Sequence, residues 1–192
     1  DNAARLTQDT VFIVDPIDGT RSFVEGSKTW AHSVAVAHKG KITAAAIYLP
    51  MRNRLYSAGL GGGAYLNGDL IAVSHNADLQ GADVLATKAN MDPDLWRNGA
   101  PAFTRSHRPS LAYRLGLVAQ GVFDAMLTFR PSWEWDIAAG ALIVSEAGGL
   151  CTDKTGEPLM FNNPHPTLNG VVTGGAALHA EILGAMAPPP IA

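Results

Sequence analysis

Four consecutive apolar residues, Val11-Phe12-Ile13-Val14, run straight into Asp15-Pro16-Ile17-Asp18-Gly19-Thr20, and the chain has little freedom in how it passes this junction. The apolar run is short, β-branched and uncharged, which predicts a buried strand. Pro16 has no N–H and holds Asp15 extended, so the strand is predicted to stop at Asp15 and the backbone to turn. Gly19 permits close approach of a ligand, and Thr20-Arg21-Ser22-Phe23-Val24-Glu25 predicts a short helix whose free N–H groups face an anion. Two carboxylates beside free amides offer hard oxygen donors suited to Mg²⁺ and phosphate. The simpler alternative is that Asp15 and Asp18 are turn residues bonding their own backbone.

The rest of the chain alternates strands with helices. Residues 33–38 and 41–48 flank Lys39-Gly40 and predict a β-hairpin, followed by a strand at 54–58. The glycine cluster from Gly59 to Gly68 has no helical pattern after it, so it reads as a hairpin, not a dinucleotide loop. Residues 83–87, 123–129 and 171–173 predict further strands, and 88–109 an irregular stretch. Leu111, Leu115 and Val118 recur at helical spacing before Gly121. Residues 136–147 predict a mostly buried helix with Asp136 as N-cap, and residues 176–186 a last helix. No repeat or linker interrupts the pattern, which implies one layered α/β domain over residues 1–187 and a proline-rich tail at 188–192.

Composition removes several classes of function. Of 192 residues 47% are hydrophobic, enough for a sizeable core, while only 16% are charged and the net charge is −3. Without a basic run, nucleic acid is not an expected partner. No apolar stretch approaches the roughly 18 residues a membrane span needs, so no membrane is expected either. The single cysteine, Cys151, forms no internal disulfide and fits a cytoplasmic protein. No two histidines stand at i, i+4, which argues against zinc, and no Gly-x-Ser-x-Gly elbow surrounds a serine.

A third carboxylate would complete a metal site, and Asp136, in Trp135-Asp136-Ile137-Ala138-Ala139-Gly140, is the candidate. At this point the chain resembles a known family. Val14-Asp15-Pro16-Ile17-Asp18-Gly19-Thr20 is similar to one signature of the inositol monophosphatase family, and Trp135 to Gly140 with Glu146-Ala147-Gly148-Gly149 to the other, about 120 residues further on. The glycine-rich hairpin also resembles that family's.

The resemblance implies an α-β-α-β-α sandwich of the inositol monophosphatase and fructose-1,6-bisphosphatase type. It implies Mg²⁺-dependent, lithium-sensitive phosphomonoester hydrolysis by metal-activated water, with two or three Mg²⁺ ions, in a homodimer. By similarity Asp15 would bridge two ions, the Ile17 carbonyl would bind one and Asp18 the other, and Asp136 would complete the set. Gly19 and Thr20 would offer amides to phosphate, and the Thr20 hydroxyl would orient water. The implied substrate is a small phosphorylated metabolite of the inositol monophosphate type, with adenosine 3′,5′-bisphosphate or histidinol phosphate as alternatives. Arg130, Trp133 and Glu134 would face it.

Two departures stand out. Thr20-Arg21-Ser22-Phe23 is not the inositol-type Thr-Thr-Asn-Phe, and Phe129 occupies the position seven before Asp136 where such members often place a sugar-binding glutamate. The family also carries a metal-binding glutamate in a Gly-Glu-Glu-like motif after about 70 mostly helical residues, and no counterpart precedes Asp15. A longer protein is therefore expected; a chain that began here would lack a layer of the fold and expose apolar surface. The rival expectation is a catalytically impaired remnant that still binds metal or ligand.

Overall fold

The computed structural model describes residues 3–188. The prolines from 189 onward, and Asp1 and Asn2, lie outside the described residues. Ala3–Thr7 forms a 3₁₀ turn.

Thirteen strands and four α-helices follow among the described residues. The first sheet is a meander in the order β1-β2-β3-β4-β5-β6, built from β1 (Thr10–Asp18), β2 (Ala31–His38), β3 (Lys41–Leu49), β4 (Arg54–Gly59), β5 (Ala64–Leu66) and β6 (Asp69–Leu70). The second runs β11-β13-β9-β7-β8, from β7 (Asp83–Leu85), β8 (Thr104–Ser106), β9 (Ala125–Thr128), β11 (Gly149–Thr152) and β13 (Val171–Gly175). A small ladder joins β10 (Ser132–Trp133) to β12 (Thr167–Leu168). Between the two large sheets pack α2 (Leu111–Ala119) and α3 (Glu134–Glu146), while α1 (Thr20–Val24) follows β1 and α4 (Ala176–Ala185) covers the far face of the second sheet. This is the layered α/β arrangement expected, with β-α-β-α layers among the described residues.

Three local expectations are corrected. The strand does not end at Asp15: β1 continues to Asp18, with two β1 residues facing one on β2 between the pairs Asp15–Ser33 and Asp18–Ala31. Pro16 is tolerated because β1 is an edge strand, where a missing N–H breaks no ladder, and the extra residue forms a bulge. Nor is β1 buried on both sides, for Phe12 is 74% and Val14 49% exposed. Their neighbours on that outer face, Tyr48 and Leu55, are exposed as well, so the first sheet presents an apolar face to solvent. Finally, part of the irregular stretch 88–109 forms β8, which pairs parallel with β7.

The inner faces make the core. Ala31, Ala35, Ala37, Ile47 and Leu49 of the first sheet meet Leu115, Ile137, Ala138 and Ile143 of the helices. Beyond the second sheet, Val84, Leu127 and Val172 pack against Leu178 and Ile182 of α4. Glu146, at the end of α3, accepts the amides of Gly61 and Gly63 at 2.8 and 2.9 Å, which pins the glycine-rich hairpin to the helix. Cys151 lies on β11, and burial pushes its thiol up to about 12, so it is not a nucleophile.

Helix α4 buries His179 against Thr152. The Thr152 hydroxyl donates to the Asp153 carbonyl at 2.9 Å, so it accepts from His179 Nε2–H, also at 2.9 Å. Burial lowers the His179 pKa, so the unfolded chain binds the proton more readily than the folded one. The histidine's contribution is therefore intact above the unfolded pKa of about 6.5 and declines as pH falls below it. In urea titrations His179→Gln is expected to lose less stability than the parent between neutral and mildly acid pH. Equal losses would show that the buried imidazole does not govern this slope.

Candidate metal and phosphate site

Asp15, Asp18 and Asp136 converge, with one oxygen from each within 4.8 Å of the others. The bulge of β1 supplies the first two. Asp15 Oδ1 accepts the Ile17 amide at 2.9 Å, so one oxygen is fixed in the turn. The backbone-bonding alternative thus holds for half of Asp15 and is compatible with its role in the cluster. Ser33, the β2 partner of Asp15, donates to the Trp135 carbonyl at 3.1 Å and so ties the bulge to the start of α3.

Asp18 is held from across the fold by the start of α2. Its Oδ2 accepts from Ser110 Oγ at 2.5 Å and from the Ala112 amide at 2.7 Å, and the N-cap Ser110 in turn accepts from Tyr113 N at 3.0 Å. Ser110 has φ 65°, a conformation unfavourable for a side chain with a Cβ, and its bonds to Asp18 and Tyr113 hold it there. Gly19 lies against it: a Cβ at Gly19 would stand 3.3 Å from Ser110 Cβ, and its φ of +84° already favours glycine.

Asp136 is not the N-cap of α3. Trp133 is, because β10 extends to it and Glu134 N bonds the Pro166 carbonyl, so α3 begins two residues earlier than expected. Asp136 then falls in the first helical turn, where it caps nothing and faces the other two acids. Burial, with the charges of Asp18 and Asp15, pushes its carboxyl up to about 7. Asp18 is raised too, chiefly by burial, against the lowering effect of the Ser110 and Ala112 bonds.

The remaining expected residues divide. Thr20 Oγ1 donates to the Ile17 carbonyl at 3.0 Å, joining two of the expected ligands and phosphate groups in one turn. Arg130 is exposed on the β9–β10 connection, and its charge draws on Asp136. Trp133 is 43% exposed and stacks on Trp135, centroids 4.7 Å apart and planes within 8°. Glu134 is the correction: it is 2% exposed, and its oxygens accept from the Asn162 and Asn163 amides at 2.8 and 2.9 Å. As the first residue of α3 it points into the 162–163 loop and cannot face a substrate. Phe129 is buried against Trp96, 5.6 Å between centroids, and offers no polar group where a sugar-binding glutamate would stand.

Sequence reasoning missed Ser110 and Arg114. A serine directly before the apolar periodicity of Leu111 is the ordinary N-cap signal and would have found the first. Arg114 sits one turn further along α2, 7% exposed, donating from Nε to the Arg108 carbonyl and from Nη2 to His107 Nε2. Burial, with repulsion from Arg130, lowers it to about 10 despite attraction by Asp18.

Comparison with known proteins agrees with this geometry. Residues 1–187 match the model of the inositol monophosphatase family. The Nus factor SuhB of Pseudomonas aeruginosa is 35% identical over 193 residues, covering 94% of this chain and 68% of that protein. The fructose-1,6-bisphosphatase/inositol-1-monophosphatase of Aquifex aeolicus is 34% identical, covering 90% and 65%. A crystal structure of the extragenic suppressor protein suhB from Bartonella henselae superposes with a TM-score of 0.78 at 29% identity, covering 92% of this chain and 71% of that one. The chain spans between 58 and 68% of the length of such curated relatives.

Proposed function

Because the chain belongs to the inositol monophosphatase family, we propose that the protein containing it hydrolyses the phosphomonoester of a small metabolite with the help of Mg²⁺. The observation that carries this is the meeting of Asp15, Asp18 and Asp136 from two distant stretches of chain. Three carboxylates forced together raise one another's pKa, and a divalent cation relieves that repulsion; an all-oxygen donor set suits Mg²⁺. Asp15, Asp18, Asp136 and the Ile17 carbonyl would hold the metal. When bound it would neutralise phosphate charge and lower the pKa of a coordinated water.

The chain's own groups do the remainder. Gly19 and Thr20 open α1 and direct amides at the phosphate. The Thr20 hydroxyl gives its proton to the Ile17 carbonyl, so its lone pairs are left to accept from the attacking water. Ser110 and the Ala112 amide fix one Asp18 oxygen and leave the other to the metal. Arg130, whose charge acts on Asp136, and the exposed Trp133 would face the substrate. No helix among the described residues is long and apolar enough to cross a membrane.

The test is phosphate release by the full-length protein from inositol 1-phosphate, adenosine 3′,5′-bisphosphate, fructose 1,6-bisphosphate and histidinol phosphate. Release is expected with Mg²⁺ on at least one of them, to vanish in EDTA and to return with added Mg²⁺. Turnover that ignores EDTA, or none on any substrate, would refute the proposal. In the active protein, inhibition by lithium is expected from the family resemblance.

A further inference from the structure

Helix α4 runs into a segment that turns back along its own end. Its C-cap, Met186, has φ −68° and ψ 144°, so the chain leaves the helix extended. There Ala187 N donates to the Leu95 carbonyl and Arg97 N to the Ala185 carbonyl, both at 2.9 Å. Beside this pairing, the end of β9 and the turn after β11 complete the wall of a cavity of about 540 Å³. Leu95, Phe129, Leu183 and Met186 form its apolar lining, and all but Phe129 are only half-buried although they pack on the second core. A cavity of this size, with hydrogen-bonded backbone around it, is a pre-formed site for a small organic ligand. No residue of the acid triad or of the Gly19-Thr20 turn lines it.

The wall carries two cations. Lys154 is anchored by its own amide, which donates to the Asn169 carbonyl at 3.2 Å, and its Nζ donates to the Phe129 carbonyl at 3.5 Å. Arg97 Nε donates to the Gly184 carbonyl at 2.9 Å, which engages one edge of the guanidinium and leaves the Nη groups for an incoming acceptor. Neither is paired with a carboxylate; among the described residues the ion pair is Lys39 with Asp9. Asp94 also lines the cavity, so two cations less one carboxylate leave a charge of +1, in a chain whose net charge is −3. That sum matches a single carboxylate, whereas a phosphate dianion would meet Asp94 with its second charge uncompensated. A second cavity at α4, of about 500 Å³, is lined by Asp78 and Glu181 and by no cation, and so repels the same ligand.

We propose that the cavity beneath Met186 binds a small amphiphilic carboxylate, with Lys154 and Arg97 holding the head and the four apolar side chains receiving an aliphatic tail. The tail supplies affinity by leaving water, and the head supplies orientation and selectivity. None of these residues has a role in the phosphatase reading, so the site stands or falls separately from it.

The experiment is calorimetric titration of the full-length protein, in EDTA, with octanoate, octanol and acetate. Octanoate is expected to bind saturably at one site, about tenfold or more tighter than octanol, which lacks the charge, and than acetate, which lacks the tail. Lys154→Gln and Arg97→Gln should each lower octanoate affinity by about fivefold or more and leave octanol binding unchanged, which a purely structural cation would not do. Arg97 is exposed, so its variant keeps the test valid if Lys154→Gln fails to fold. Met186→Trp, which fills the cavity, should abolish binding of octanoate and octanol alike. Absence of saturable octanoate binding would mean that the chain beyond Pro188 or a second copy covers the cavity, and would overturn the proposal. Equal affinity for octanoate and octanol, a preference that survives in the Arg97 variant, or unchanged binding in the Met186 variant would overturn it as well.

Discussion

Asp136→Asn is expected to lower Mg²⁺-dependent phosphate release by about a thousandfold, the several kcal/mol that metal stabilisation of a phosphoryl transition state supplies. The same substitution should make the metal-free protein more stable. At neutral pH the Asp136 carboxyl, raised to about 7 by burial and by Asp18 and Asp15, is held where its charge is unwelcome. An amide of the same shape removes that charge, for a gain on the order of 1–3 kcal/mol. Urea midpoints measured in EDTA should therefore rise while activity falls, and the stabilisation that the parent gains from added Mg²⁺ should shrink. A residue that merely supported the fold would lose stability and activity together. Activity within tenfold of the parent would remove Asp136 from the metal site.

What the sequence disclosed and what it hid follow from the range of the interactions. The β2–β3 hairpin was legible because Lys39 and Gly40 both adopt positive φ, a local property that the Lys-Gly pair advertises. Helix α2 was legible from apolar spacing, and α3 as a mostly buried run. The end of β1 was not, because whether Pro16 stops a strand depends on whether that strand is central or an edge, which is settled by pairing partners far along the chain. The start of α3 was misplaced for a similar reason: β10 and the Pro166 carbonyl hold Trp133 and Glu134, and nothing adjacent to Asp136 signals it.

The site shows the same division. Asp15, Asp18 and Asp136 stood out through motifs, whereas Ser110 and Arg114 sit outside both signatures and matter only because α2 packs beside the bulge. Glu134 was drawn in by adjacency to Asp136, but successive helical residues point about 100° apart, so a neighbour in sequence faces another layer. The outer face of β1 could be anticipated only through the family, since Phe12 and Val14 read as core residues in isolation.

The distance between α2 and α3 decides whether the triad exists at all, and Gly140 sets it. A Cβ placed at Gly140 would stand 2.4 Å from Leu115 Cβ and 2.3 Å from Leu115 Cδ1. A new rotamer could move the second atom but not the first, which is fixed to the α2 backbone. Gly140→Ala can therefore be accommodated only if the helices separate, by about 1 Å to reach ordinary contact. Leu115 is fully buried, so the cost is expected to be roughly 2 kcal/mol or more. The separation acts on the site because α2 holds Asp18 through Ser110 and Ala112, while α3 carries Asp136. An ångström of misplacement at a catalytic centre can cost about a hundredfold in rate. Gly140→Ala is thus expected to lower the urea midpoint and, at temperatures where the variant is still folded, to weaken Mg²⁺ binding and reduce kcat by one to two orders of magnitude, roughly the range that such misplacement allows. Calorimetric titration with Mg²⁺ measures the first directly. Unchanged metal affinity in a folded Gly140→Ala protein would mean that the two helices do not set the spacing of the carboxylates.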